Sequence, residues 1–235
     1  MEETRTGNGS KALAVAARPQ ADAELYPALV KLRGRRALVV GGGPVGFQKT
    51  LELLRCGALV HVVAIRWTAD FGPLDGAGRL TRSTRPFDPS DLDGVFLVIA
   101  ATNDAAAQHA IWQRAESNGI LCNVVDTPDR CSFYVPASLR RGSLTVSVST
   151  DGKSPLLAVA LRDRLAVGLG PQLGPALEIL AEARETVRAL YPADQSKRRF
   201  ALSRLVTPEA LDQLLEGGLD TFEAHWRSWK SSLSA

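Results

Sequence analysis

Apolar residues first gather at Ala37–Val40, a run long enough for one buried strand and too short for a helix. Behind it the spacing changes: Val45, Leu51 and Leu54 recur at helical intervals and predict a helix over Val45–Cys56. Gly57 is a natural stop for that helix, and the valine-rich Ala58–Ala64 predicts a second strand. Leu80–Arg82 adds a short strand to the otherwise irregular Arg66–Ser90. Val95–Ala101 and Ile120–Val125 are two further apolar strands. Between them lies a helical stretch, Asp104–Ser117, which Thr102 or Asn103 can cap and Asn118-Gly119 can end. Continuous apolar strands alternating with helices predict an α/β fold, a doubly wound, Rossmann-like parallel sheet with right-handed crossovers.

The pattern changes at Asp126. Thr127–Ser132 is turn-like, Phe133–Val135 is short and extended, and Leu144–Ser149 alternates as a half-buried strand. Ser154-Pro155 joins a serine N-cap to proline at the first helical position, opening a helix that runs to Val167. Beyond Gly168–Pro175 the chain is helical in character, over Ala176–Leu190, Lys197–Leu205 and Pro208–Leu215. The expected division is a disordered leader over 1–24, a nucleotide-binding domain over 25–126, a small α+β region over 127–167 and a helical C-terminal region over 168–235.

Composition narrows the setting. At 235 residues with 45% apolar content the chain can bury a sizeable core. A net charge of +3, with both signs interspersed, gives no basic excess of the kind nucleic acids attract. No apolar run approaches the ~18 residues of a membrane span, and no signal-peptide core is visible. Cys56, Cys122 and Cys131 are an odd number without a C-x-x-C, which argues against a disulfide frame or a zinc knuckle and for a reducing compartment. A soluble, cytoplasmic protein with neither nucleic-acid nor membrane partner is expected.

The candidate chemistry starts with Gly41, Gly43 and Gly46, set between the first strand and the first helix. Such glycines permit a tight turn, close backbone approach to a pyrophosphate and close packing of helix on strand. The first free N–H groups of the helix, with Pro44 and Val45 at its start, then face phosphate where the helix dipole favours negative charge. The acid that often holds ribose hydroxyls about 20 residues on is missing, because the second strand closes on Val63-Ala64-Ile65-Arg66. Arg66 reads either as a contact to the phosphate of NADP or as a solvated strand end, so NAD and NADP both stay open.

Asp126 stands at the carboxyl end of a strand, the edge where open α/β sheets hold ligands, although an Asp before Thr-Pro is also an ordinary turn former. Arg140, Arg141, Lys153, Arg162 and Arg164 make a loose basic set. Within it, Gly152-Lys153-Ser154-Pro155 puts a cation beside free helix N–H groups, a carboxylate site. His61, His109 and His225 read as structural; no histidine pair has metal-ligand spacing, no metal site is expected, and no Ser-His-Asp order is present.

These residues, taken together, resemble the siroheme synthase N-terminal module: precorrin-2 dehydrogenase, in some members also sirohydrochlorin ferrochelatase. The matching pieces are Tyr26-Pro27, Leu38–Lys49, Ala100-Ala101-Thr102, Cys122-Asn123-Val124-Val125-Asp126 with Phe133 and Pro136, Gly142-Ser143-Leu144-Thr145, and Ser149–Pro155. They cover roughly residues 25 to 200 in order. The glycine loop is generic, whereas the Asn-Val-Val-Asp and Gly-Lys-Ser-Pro stretches are specific.

The resemblance implies oxidation of precorrin-2 to sirohydrochlorin with a hydride passed to NAD, and in several members insertion of Fe2+ as a second substrate. It places the catalytic aspartate on Asp126 and cofactor contacts near Gly43, Pro44, Val45, Ile65, Arg66 and Thr102, beside Gly41 and Gly46 of the fingerprint. It also implies a homodimer formed through Thr127–Arg164, which makes 127–167 a dimerisation region. The carboxylate-rich tetrapyrrole suits Lys153, Ser154, Arg140 and Arg141. The methyltransferase domain fused to some relatives is not in the sequence, which leaves methylation to a separate uroporphyrinogen methyltransferase.

Three positions depart from the family pattern: Gly46 where Ala is frequent, Gln48 where Arg is frequent, and Ile65 where many members have Pro. The competing reading is a non-catalytic, dimeric NAD(H)-sensing regulatory module, against which the missing ribose acid and the Asn-Val-Val-Asp stretch both count.

Overall fold

The computed structural model describes residues 25–74 and 78–233; the leader expected over 1–24 lies outside them. The chain divides after Phe133 into two compact units. The first holds β1 (Arg36–Gly42), α1 (Pro44–Arg55), β2 (Leu59–Trp67), β3 (Leu80–Thr84), β4 (Leu97–Ala100), α2 (Ala105–Ser117) and β5 (Leu121–Val124). Its five strands are parallel, in the order β3-β2-β1-β4-β5. The strand order reverses between β1 and β4, where a crevice forms at the carboxyl ends.

Both faces of the central strands are covered, which is why they read as continuous apolar runs. On one face Leu38, Val40, Val63, Val98, Ala100 and Val124 pack with Ile111 and Ala115 of α2. On the other, Val39, Val60, Val62 and Ile99 pack with Leu53 of α1 and the fully buried Phe71. Phe71 sits in a 3₁₀ segment, Ala69–Leu74, that stands where a second crossover helix would be, its ring edge-on to Phe47 and Trp67 at 5.1 and 5.0 Å.

The strand expected to stop at Ala64 continues to Trp67, because its last residues pair with the glycine loop: Gly42 lies opposite Trp67 and the Thr68 N–H donates to the Gly42 carbonyl at 2.8 Å. Asp104, and neither Thr102 nor Asn103, caps α2, accepting from the N–H groups of Ala106 and Ala107.

The second unit opens with an antiparallel hairpin, β6 (Ala137–Arg141) and β7 (Leu144–Val148). Phe133–Val135, expected to be extended, forms no strand; the pairing begins at Ala137. Five helices follow: α3 (Pro155–Gly168), α4 (Leu173–Leu190), α5 (Gln195–Ser203), α6 (Pro208–Leu215) and α7 (Leu219–Ser232). Val187, Leu205, Trp226 and Trp229 form one core among the last helices, and the Trp229 indole donates to the Ala201 carbonyl at 2.8 Å. Leu173, Ala176, Ala210, Leu214 and Phe222 form another. No helix among the described residues is long and apolar enough to cross a membrane.

Candidate active site

Register brings three strand ends level. Val40 pairs with Ala100, and Ala100 with Val124, so the residues that follow leave the sheet side by side: Gly41 after β1's last paired valine, Ala101-Thr102 after β4, Val125-Asp126 after β5. The Ala101 N–H donates to the Val40 carbonyl at 2.8 Å, and the Val125 N–H to the Ala100 carbonyl at 3.0 Å, extending the alignment past the strands. At roughly 4.8 Å per strand, the glycine loop and the segment carrying Asp126 are about 10 Å apart across the edge.

The loop itself is shaped by two glycines. Gly41 has φ +126°, and a Cβ there would collide with the Ala101 carbonyl oxygen. Gly46, buried, comes so close to the Gly41 carbonyl that a Cβ would strike it, and the buried Thr50 hydroxyl donates to the Gly46 carbonyl at 2.8 Å. Alanine at 46 therefore requires the turn to open. Gly43 is different: a Cβ there meets nothing within 4 Å, so the chain's own packing does not demand glycine. Its open side faces solvent.

Helix α1 begins without a side-chain cap, with Gly43 at the N-cap and Pro44 at the first turn. By contrast, Asp104, Ser154, Asp194 and Thr207 each cap a helix with their side chains. The N–H groups of Val45 and Gly46 are the orphan donors of such a start, and Gly43, Pro44 and Val45 are exposed. A pyrophosphate fits this cradle through backbone donors and helix dipole together. Ile65 and Arg66 are exposed at the end of β2. Thr102 is half-buried and fixed, its hydroxyl accepting from the Asp104 N–H and its carbonyl from the Gln108 amide at 2.7 Å.

Asp126 is exposed and has φ +60°, in the left-handed region that only Gly, Asn and Asp visit readily. The following segment folds back on β5 and holds it there. The Thr127 N–H donates to the Val124 carbonyl, and the Cys131 thiol donates toward the carbonyls of Val124 and Thr127 at 3.3 Å. The Cys122 N–H donates to the Ser132 hydroxyl at 2.8 Å, and the Asn123 amide to the Phe133 carbonyl at 3.1 Å. Burial pushes the Cys122 thiol up to about 12 and the Cys131 thiol upward as well, so both are protonated pieces of scaffold at neutral pH.

Lys153, Ser154, Arg140 and Arg141 belong to the second unit. Lys153 is exposed after a tight turn in which Asp151 and Gly152 both have positive φ and the Lys153 N–H returns to the Thr150 carbonyl at 2.9 Å. Ser154 caps α3 through the Leu157 N–H at 3.3 Å, and proline has no N–H, so Leu156 carries the free donor at that start. Arg141 is engaged by its own unit, donating to the carbonyls of Leu169 and Arg140 at 2.8 and 3.1 Å. Helix α3 exposes Leu156, Leu157, Val159, Leu161, Leu165 and Val167, with only Ala158 fully buried.

Residues 28–137 match a family of NAD(P)-binding domains, and residues 141–167 match the central region of sirohaem biosynthesis proteins. The siroheme synthase of Photorhabdus laumondii is 39% identical over 177 residues, 75% of this chain and 38% of that protein. That of Methylococcus capsulatus is 39% identical over 187 residues, 80% of this chain and 40% of that protein. Over three quarters of its length the chain is similar to the siroheme synthase N-terminal module. It spans about two fifths of the length of the curated siroheme synthases it matches. A solved structure, SirC, precorrin-2 dehydrogenase, superposes with a TM-score of 0.71 at 26% identity, covering 87% of this chain and all of that one. The parallel sheet, the small antiparallel sheet and the C-terminal helices are thus the architecture seen in SirC, and the parallel sheet lies in the NAD(P)-binding match.

Sequence reasoning singled out the glycines and Asp126 but not the residues that tie down the segment around the aspartate: Asn123, Cys131 and Ser132. Their signal was the turn-like composition of 127–132, which marks a bend without saying that it returns onto β5.

Proposed function

We propose that this chain oxidises precorrin-2 to sirohydrochlorin, with Asp126 as the catalytic carboxylate. The observation that carries the reading is the alignment at the carboxyl edge, where an uncapped glycine-loop helix start after β1 and an exposed, conformationally fixed aspartate after β5 leave the sheet level with each other on either side of β4. The likeness to SirC supports it. Gly41 and Gly46 shape the loop, while Gly43, Pro44 and Val45 present the backbone to the pyrophosphate. Ile65 and Arg66 flank the adenosine end, and Thr102 flanks the crevice from β4. Bound at this edge, the nicotinamide supplies the hydride acceptor.

The oxidation removes a hydride and a proton from the macrocycle. The ionised Asp126 accepts the proton, a role typically worth ~10²–10⁴ in rate. Its left-handed backbone keeps the carboxylate outside the sheet, where a flat substrate can reach it. In the second unit, Lys153 and the α3 start at Ser154, with Arg140 and Arg141, offer a basic surface of the kind a carboxylate-rich tetrapyrrole takes.

The assembly is a homodimer formed through 127–167. Helix α3 exposes six leucines and valines yet has one fully buried residue, and so broad an apolar surface is normally covered. A second copy of this surface provides the cover. Fe2+ insertion into sirohydrochlorin is a second activity of the same edge, with Asp126 taking protons from the macrocycle nitrogens.

The test is anaerobic incubation of the chain with precorrin-2 and NAD or NADP. Reduced nicotinamide formed one-to-one with sirohydrochlorin is the expected result. Dinucleotide binding without turnover would instead favour the sensing module. Ferrous ion and sirohydrochlorin without nucleotide, scored for siroheme, tests the chelatase step separately.

A further inference from the structure

The crossover from β3 to β4 is short, and its regular structure is a 3₁₀ segment, Pro89–Leu92, in place of a full helix. Part of the sheet over β2 and β3 is therefore left open near the amino ends of the strands. A cavity of about 450 Å3 lies there, with Arg36, His61, Arg79, Thr81, Ser90 and Asp91 among its lining residues. Arg36 opens β1 five residues before Gly41, so roughly 16 Å of strand separates this cavity from the glycine loop.

Charge in the cavity is unbalanced. The Arg36 guanidinium lies over Gly94, where a Cβ would come within 3.0 Å of its Nη1. Arg79 donates one N–H to the Leu54 carbonyl at 2.9 Å. The acids nearby along the chain are already engaged among the described residues. Asp91 accepts from Arg85 through both oxygens and from the Asp88 N–H, and Asp93 pairs with Arg114 at 3.4 Å. The Arg85–Asp91 pair cancels, which leaves the charges of Arg36 and Arg79 uncompensated. His61 is half-buried, its ring nitrogens 2.7 and 3.3 Å from the hydroxyls of Thr81 and Ser83. Burial holds it below the usual histidine value, so the ring adds hydrogen-bonding capacity and no charge at neutral pH.

We propose that this cavity is a second ligand site, which takes a phosphate group, free or on a small ester, with Arg36 and Arg79 as its counter-charges. Two guanidinium groups match the two negative charges of a phosphate, and the Thr81 hydroxyl can donate to its oxygens. The volume is that of an ordinary small-molecule pocket. Binding here involves no covalent step and does not depend on the reading of Asp126 or of the glycine loop.

The experiment titrates the full chain with inorganic phosphate and, separately, with glycerol 3-phosphate. NAD is kept in excess so that the crevice does not compete. Heat gives the affinity, and the NMR pH titration of the His61 ring, assigned with His61→Gln, gives the location. The charged groups facing that ring are Asp91, Arg85 and Arg36, so each variant is compared with itself with and without the anion. Expected are saturable binding and a raised His61 pKa, because a bound dianion favours the imidazolium. Arg36→Gln should weaken binding about tenfold or more and abolish the rise, and Arg79→Gln should weaken it from the other side. Arg227→Gln, an exposed arginine of the second unit, should change neither. Tighter binding of the ester, or of the free anion, supports the site and identifies its source. No saturable binding of either probe overturns the proposal. So does binding that leaves His61 unmoved, or binding of wild-type strength in both Arg36→Gln and Arg79→Gln.

Discussion

The two units handle apolar surface in opposite ways. In the first, β1 and β4 are buried on both faces by the chain's own elements, and what stays exposed at the carboxyl edge includes glycine backbone, Arg66, Asp104 and Asp126. In the second, α3 carries its leucines and valines outward, with Leu156 and Val167 about four-fifths exposed. The strands of the first unit are thus finished as a core, and its most exposed large apolar residues are Tyr26 and Leu29 in the segment before β1. The second is incomplete over a whole helix, which calls for another protein surface of similar chemistry. The proposed proton transfer at Asp126 and the proposed dimer contact along α3 thus fall in different units, and perturbations should separate along the same line.

The largest separation should come from α3. Leu156→Asp in both copies removes two leucine contacts of about 1.5–3 kcal/mol each, so dimer dissociation should strengthen roughly a hundredfold or more by analytical ultracentrifugation. Dinucleotide affinity should not change. Next comes the glycine loop. Gly46→Ala forces a Cβ onto the Gly41 carbonyl and should cost about 1–3 kcal/mol in denaturant unfolding. Gly43→Ala should leave stability within about 0.5 kcal/mol, because nothing in the chain opposes its Cβ, while weakening dinucleotide binding.

Thr50→Val keeps the shape of the buried side chain but removes its bond to the Gly46 carbonyl, for a loss of about 1 kcal/mol. The smallest effect concerns pH. Burial holds His61 below the usual histidine value, against the pull of Asp91, its ring nitrogens lying 2.7 Å from the Thr81 hydroxyl and 3.3 Å from that of Ser83. The folded state then binds fewer protons than the unfolded one, so stability should fall as pH drops below about 6.5. His61→Gln should flatten that fall in a series of thermal melts.

How far the sequence could be read follows the same division. β1, α1 and the α3 start at Ser154-Pro155 were legible because local signals agreed with tertiary structure: a short apolar run, glycines, then proline at a first helical position. β6 was not. Ala137–Arg141 ends in two arginines and buries Leu139 alone, so its alternation is weak and the pairing with β7 decides its fate. The α2 cap fell to Asp104 because Thr102 is already committed on the crevice side, a matter of tertiary contacts. Asp126 was visible as a strand-end acid, but its left-handed backbone was not, since that depends on Thr127 and Cys131 bonding back to Val124. Arg66 was visible as a missing acid, and only the packing of Gly42 against its carbonyl fixed where it stands.

The central claim is that one edge divides its labour, the glycine loop holding the dinucleotide and the aspartate moving the proton. The most direct measurement is single-turnover oxidation of precorrin-2 by Asp126→Asn, a substitution that keeps the shape and tolerates the left-handed backbone. The rate should fall by ~10²–10⁴ with dinucleotide affinity and melting temperature unchanged. A rate equal to the wild type's would contradict the account.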